Sequence, residues 1–291
     1  MAGAQAPVFT PRNDAAGESP HQVRGRKSCQ IMGIINMTPD SFYPESRCIE
    51  PAAAIARGIE MVEAGADILD VGGESTRPGA SPVSDGEEMD RVLPVISALS
   101  VHARVSIDTR KESVAREAMK EGASIINDVS SSLSQVAADT QAVWIAMHMK
   151  GDPRNMQDAP SYTNVVDEVE QFLLDAAANA VISGVSEIWI DPGIGFGKTL
   201  EHNIELLKAL PRFVAHGFPV LVGTSRKSFL GTLARECMCG EIPDPSMRLP
   251  GSLATAVWGA INGASVVRVH DVLATKHAFK LLDASYGSSL H

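Results

Sequence analysis

Hydrophobic residues along the chain gather into eight short runs, and each run closes on polar side chains. In order these are IMGIIN ending at Asn36, DILDVGGEST ending near Thr76, VSID ending at Asp108 and SIIND with Asn127. Then come VWIAMH with His148, IWID with Asp191, FPVLVGTSRK with Lys227, and SVVRVH with Arg268 and His270. Runs that are apolar throughout, rather than alternating, are the mark of strands buried on both faces, and parallel sheets are built from such strands. Between the runs the spacing turns helical. Ile55, Ile59 and Val62 share one face with Gly65 as a stop, and Val165, Val169, Phe172, Leu173, Ala176 and Ala180 share another with Gly184 as a stop. Strand then helix, repeated, predicts crossover units and a parallel sheet.

A closed (β/α)8 TIM barrel delivers the C-terminal ends of all its strands to one face, where active sites are assembled. The alternative, a doubly wound open sheet, concentrates its chemistry on one glycine-rich turn after the first strand. Here the polar tips are spread over all eight runs, which favours a single-domain α/β barrel over residues 29–291. Residues 1–28, with Pro7, Pro11 and Pro20, read as a loose tail. Two polar stretches, 40–51 after the first run and 75–88 after the second, are candidates for mobile loops that close over a substrate. Residues 236–250 read as an ordinary connection.

Composition narrows the partners. A net charge of −10 over 291 residues argues against nucleic acid, which needs a concentrated basic surface. An anionic small molecule stays compatible with a few locally gathered cations. Four cysteines make no disulfide framework, and Cys237 with Cys239 lacks the second pair that a closed zinc site needs. Reduced thiols and a cytoplasmic setting follow. The first 28 residues lack an apolar signal segment. The charge-free stretch 249–267 is broken by Pro250, glycines and Asn262, so it reads as a buried helix and strand rather than a membrane span.

The tips themselves suggest a ligand. Asp108, Asn127 and Asp191 could each cap a helix, but three on successive strand ends form a set that would read a flat heterocycle with several N–H donors. Lys227 follows a strand directly. Arg268 and His270 alternate with Val269 and face the same side as Val266, so a guanidinium and an imidazole converge as they would around a phosphate. Asn36 offers a neutral oxygen suited to a Mg²⁺ that also binds substrate phosphates. Gly193-Ile194-Gly195-Phe196-Gly197-Lys198-Thr199 is not a nucleotide-triphosphate loop, because Pro192 stands where the first glycine is required. Its glycines instead let backbone pass close to a ligand, with Phe196 as a stacking face.

Eight ordered segments together resemble the dihydropteroate synthases, the folate-pathway enzymes that sulfonamides target. They are GIINMTPDSF (33–42), DVGGESTRPGA (70–80), SIDTRK (106–111), INDVS (126–130), MHMKGDP (147–153), DPGIGFGK (191–198), GTSRKSFLG (223–231) and RVHDV (268–272). The resemblance implies a homodimeric barrel that condenses 6-hydroxymethyl-7,8-dihydropterin pyrophosphate with 4-aminobenzoate. It implies that Asp108, Asn127, Asp191, Lys227 and Gly223 hold the pterin between Met147 and Phe196. Asn36 would coordinate Mg²⁺ and, with Thr76, Arg268 and His270, bind the pyrophosphate. Phe42, Arg77, Pro78 and Ser228 would frame the aminobenzoate. One segment departs from the family pattern: after Phe42, where members continue with small, glycine-rich residues, this chain reads Tyr43-Pro44-Glu45. A pterin-binding methyltransferase domain shares the barrel but has no use for Ser-Arg-Lys and Arg-Val-His around a pyrophosphate. A non-catalytic pterin-binding relative would have lost a tip residue, and none is lost.

Overall fold

The structure, a computed structural model, describes residues 28–38, 50–75, 82–152 and 155–285. Strands and helices alternate along the chain: β1 (Gln30–Asn36), α1 (Pro51–Glu63), β2 (Ile68–Gly72), α2 (Asp85–Leu99), β3 (Arg104–Asp108) and α3 (Glu112–Lys120). They continue with β4 (Ile125–Asp128), α4 (Ser134–Thr140), β5 (Val143–Met147), α5 (Val165–Ser183) and β6 (Ile188–Asp191). Two helices, α6 (Leu200–Lys208) and α7 (Leu210–Val214), lead to β7 (Leu221–Val222). Two more, α8 (Ser228–Ala234) and α9 (Leu249–Ile261), lead to β8 (Val266–Val269), and α10 (Val272–Ser285) ends the described chain. Each of the eight apolar runs supplies one strand.

All neighbouring strands pair in parallel, in the order β6-β5-β4-β3-β2-β1-β8-β7. A parallel bridge between Ile190 and Val220, with the Ile190 amide donating to the Pro219 carbonyl at 2.9 Å, brings β6 onto β7 and nearly closes the ring. Pro219 has no N–H and so can only accept at this seam. The expected barrel is what forms. Of the expected tail, residues 1–27 lie outside the described residues.

Burial on both faces explains the uninterrupted apolar runs. Met32, Ile68, Ile125, Val143, Ile145, Trp189, Leu221 and Val266 fill the barrel interior. Their neighbours Ile35, Leu69, Val71, Ile107, Ile126, Trp144, Ile190, Val222 and Val267 face the helices. The α5 pattern holds at Val165, Val169, Leu173 and Ala180, which are buried, but Ala177 joins them while Phe172 is exposed and Ala176 half-buried, and Gly184 caps the helix in the left-handed conformation. In α1 the inward line is offset from the expected one. Ala54, Gly58 and Met61 are buried, while Ile55, Ile59 and Val62 only flank the core. The cause is the closeness of α2: a Cβ on Gly58 would lie 2.5 Å from a Leu99 methyl. Stretch 249–267 forms the expected helix and strand, α9 and the start of β8, but α9 is buried on one face only, with Trp258 and Ile261 exposed. No helix among the described residues is long and apolar enough to cross a membrane.

Candidate active site

Strand periodicity builds the site. Every second residue of a strand points into the barrel, and two residues beyond each interior apolar side chain the chemistry changes. Asp70 stands above Ile68, Asn127 above Ile125, Met147 above Ile145, Asp191 above Trp189, Gly223 above Leu221 and Arg268 above Val266. Asp108 ends β3 in register with both Gly72 and Asn127, and Asn36 is in register with Gly72. The mouth is therefore a polar storey on an apolar floor.

Arg268 is the centre of that storey. Its Nε donates to Asp70 Oδ2 at 2.5 Å and its Nη2 to Asp108 Oδ2 at 2.6 Å, while Asn127 Nδ2 donates to the same Asp70 oxygen at 3.0 Å. Burial pushes the Asp108 carboxyl up to about 7 against the pull of Arg268. The guanidinium edge expected to fork onto a phosphate is thus already divided between two carboxylates. Asp70, fully buried, lies inside its run rather than at the tip, so the polar end of the run does not mark it. Its signal in the sequence is a carboxylate among residues otherwise apolar, in phase with Ile68.

Asp191 accepts from the Gly193 amide at 2.7 Å. Burial raises its carboxyl, opposed by Lys227, the Gly193 amide, Lys198 and Arg268. Lys227 Nζ donates to the Ile194 carbonyl and sits 4.4 Å from the centre of the Phe196 ring. Burial brings this lysine down to about 8, against the attraction of Asp191. The residue before it fixes its direction. Arg226 takes a φ of +58°, and its amide donates to Ser252 Oγ at 2.8 Å. Its guanidinium binds Asp271 at 2.9 and 2.6 Å and the carbonyls of Pro245 and Ser246. The Arg of Ser-Arg-Lys is therefore a structural tie that turns Lys227 toward the mouth. Ser225 Oγ meets His270 Nδ1 at 3.0 Å and its amide at 3.2 Å, which steers the imidazole beyond the end of β8. Ser228 is exposed at the start of α8.

The second loop is held at its stems. Glu74 accepts from the Val83 amide at 3.1 Å and from Arg110. Lys111 Nζ donates to the Val83 carbonyl at 2.6 Å and to Glu88 at 2.7 Å, and Thr109 Oγ1 donates to the other Glu88 oxygen at 2.7 Å. Glu88 is fully buried on α2. Phe42, Thr76, Arg77 and Pro78, with the Tyr43-Pro44-Glu45 departure, lie outside the described residues. The described part of the mouth thus gathers Asp108, Asn127, Met147, Asp191, Phe196, Gly223, Lys227 and Arg268, with His270 and Asn36 at strand ends.

The chain as a whole is similar to known proteins. The family described as pterin binding enzymes matches residues 32–270. Dihydropteroate synthase of Escherichia coli is 43% identical over 263 residues, covering 88% of this chain and 91% of the relative. The structure of Yersinia pestis dihydropteroate synthase with a sulfonamide drug superposes with a TM-score of 0.84 at 39% identity, over 90% of this chain and 95% of that one. Xanthomonas albilineans dihydropteroate synthase with 4-aminobenzoic acid gives 0.81 at 40% identity, over 90% and 94%. The chain belongs to the dihydropteroate synthase family of pterin-binding enzymes.

Proposed function

We propose that this chain is a transferase that condenses 6-hydroxymethyl-7,8-dihydropterin pyrophosphate with 4-aminobenzoate, giving 7,8-dihydropteroate and pyrophosphate. The observation that carries the reading is the polar storey on an apolar floor in a barrel of this family. Asp191, Asn127 and Asp108 supply the acceptors and donor that match the N–H and carbonyl edge of a pterin, between Met147 and Phe196. Lys227, over the Phe196 ring, adds a donor at the face of the heterocycle. Breaking the C–O bond to pyrophosphate leaves positive charge on the pterin methylene and negative charge on the leaving group. Acidic groups at Asp191 and Asp108 favour the former, while Arg268 through its Nη1, which neither Asp70 nor Asp108 takes, together with His270 and Thr76, favours the latter, which is preorganised electrostatic stabilisation. The arylamine, framed by Phe42, Arg77, Pro78 and Ser228, needs positioning more than activation.

A magnesium ion fits the donors present. Among the described residues no cluster of three His, Cys, Asp or Glu side chains gathers to cage a metal. A lone neutral oxygen at Asn36 suits an ion that keeps its waters and takes one or two protein ligands beside substrate phosphates. When bound there it would supply Lewis-acid neutralisation of the pyrophosphate. A second copy of this chain is the partner this reading carries, supported by apolar side chains left exposed on α9 and α10: Trp258, Ile261, Leu273 and Leu281. Trp258→Glu is expected to turn a dimer into a monomer in sedimentation velocity. The exposed, free thiols of Cys237 and Cys239 support a reducing, cytoplasmic setting.

A product assay with the two substrates, repeated with a sulfonamide present, tests the reaction. Lys227→Ala and Asp191→Asn are each expected to lower kcat/KM for the pterin substrate by at least about 100-fold while the thermal melt stays cooperative. Wild-type rates in either variant would sink the pterin assignment.

A further inference from the structure

The tips of β5 and β6 share a buried ammonium that no step above uses. Lys198, in the loop between β6 and α6, is 3% exposed. Its Nζ reaches His148 Nδ1 at 2.9 Å, the Phe196 carbonyl at 3.0 Å and the His148 carbonyl at 3.3 Å. An ammonium has three N–H donors and here meets three acceptors. The match requires an uncharged His148 with its ring proton on Nε2. Burial holds that imidazole down to about 3, with Lys198 as the next cause, which agrees. Tyr162 and Phe172 pack tilted and edge-on around the ring, with ring centres 6.1 and 5.0 Å away.

What the ammonium holds is the wall of the pterin half-site. Residues 193–197 form a tight loop in which Gly193 has a φ of +65° and lies so close to β5 that a Cβ would stand 1.8 Å from the His148 carbonyl. The site side of the same loop carries Phe196 and the Ile194 carbonyl that Lys227 grips. One lysine therefore fixes the loop from behind and the other meets it from the front. Burial brings Lys198 down to about 7, against Asp191, which favours its charge, and with Lys227 and Lys150 also opposing it, so the ammonium is fully charged on the acid side of neutrality. Those acting on Asp191 are Lys227, Lys198 and Arg268.

We propose that Lys198 is a positioning residue for pterin recognition, clamping Phe196 to the tip of β5 through His148 and serving as a buried counter-cation to Asp191, without itself touching substrate. The inference rests on the pterin assignment above, and Lys227→Ala tests that assignment separately. Lys198→Met removes the charge and the donors at near-constant length, and Lys198→Arg keeps both a charge and donors. For Lys198→Met, KM for the pterin pyrophosphate is expected to rise about tenfold or more, with KM for 4-aminobenzoate within about twofold of wild type. The acid limb of kcat/KM is expected to move to higher pH by about half a unit or more, because Asp191 loses a cation that favours its ionised form. Lys198→Arg should return the limb to its wild-type position. Equal rises in both KM values, or an unmoved acid limb, would overturn the proposal and leave Lys198 a purely structural residue. If Lys198→Met fails to fold, His148→Phe makes the same test by removing one of the three acceptors. It too must weaken the pterin step selectively, and a uniform loss would count against the clamp.

Discussion

Gly193 admits no side chain, since its φ is positive and the space where a Cβ would go is filled by the His148 carbonyl. Gly193→Ala must push β5 and β6 apart at the mouth, so it is expected to destabilise the fold by about 2 kcal/mol or more. Urea unfolding at neutral pH measures it. His148 makes a second prediction at this scale. Its imidazole stays neutral in the fold down to about 3, whereas in the unfolded chain it takes a proton near 6.5. Between these values the unfolded state binds more protons, so this group's contribution to stability falls as the pH drops from 6.5 toward 3. The stability difference between wild type and His148→Gln should therefore shrink in acid, by up to about 1.4 kcal/mol per pH unit. A gap that stays constant from pH 7 to 5 would mean that His148 is not held neutral.

Elements show why some of this was legible and some was not. A strand buried on both faces leaves a continuous apolar word, and its polar end is readable as a tip, which is how Asp108, Asn127, Asp191 and Lys227 stand out. Asp70 escapes because the polar storey cuts β2 two residues before its end. Lys198 hides inside a glycine-rich stretch whose likeness to a nucleotide loop fails, and nothing local says that its ammonium turns inward. The face of α1 is misplaced by one position because Gly58, not a large apolar residue, marks closest approach to α2. Glu88 is the same lesson in reverse, a charged residue on a helix that reads as solvated and is fully buried on Lys111 and Thr109. Glu88→Ala strands those partners and is expected to cost about 3 kcal/mol, with a raised KM for 4-aminobenzoate as the loop stems loosen. A stability loss under about 1 kcal/mol would show that Lys111 simply turns to water.

For the whole molecule the ring has one thin place. Along the other seams strands pair over two to five residues in register, but β6 meets β7 through a single bridge. Opening free energies vary across a structure, and sparsely bonded segments exchange their amides first. The Ile190 amide, donor of the seam bond, is expected to exchange faster than Ile107 or Ile126 in the opposite wall, read by hydrogen exchange. That seam lies between the strand bearing Asp191 and the strand leading to Lys227. A pterin held by both side chains would therefore be a cross-link as well as a substrate, bound only by the closed ring. Linkage then makes the ligand a fastener whose grip grows with its concentration as RT ln(1 + [L]/Kd). Slowed exchange at Ile190 on adding a pterin, greater than at any other strand amide, would be the sign of it.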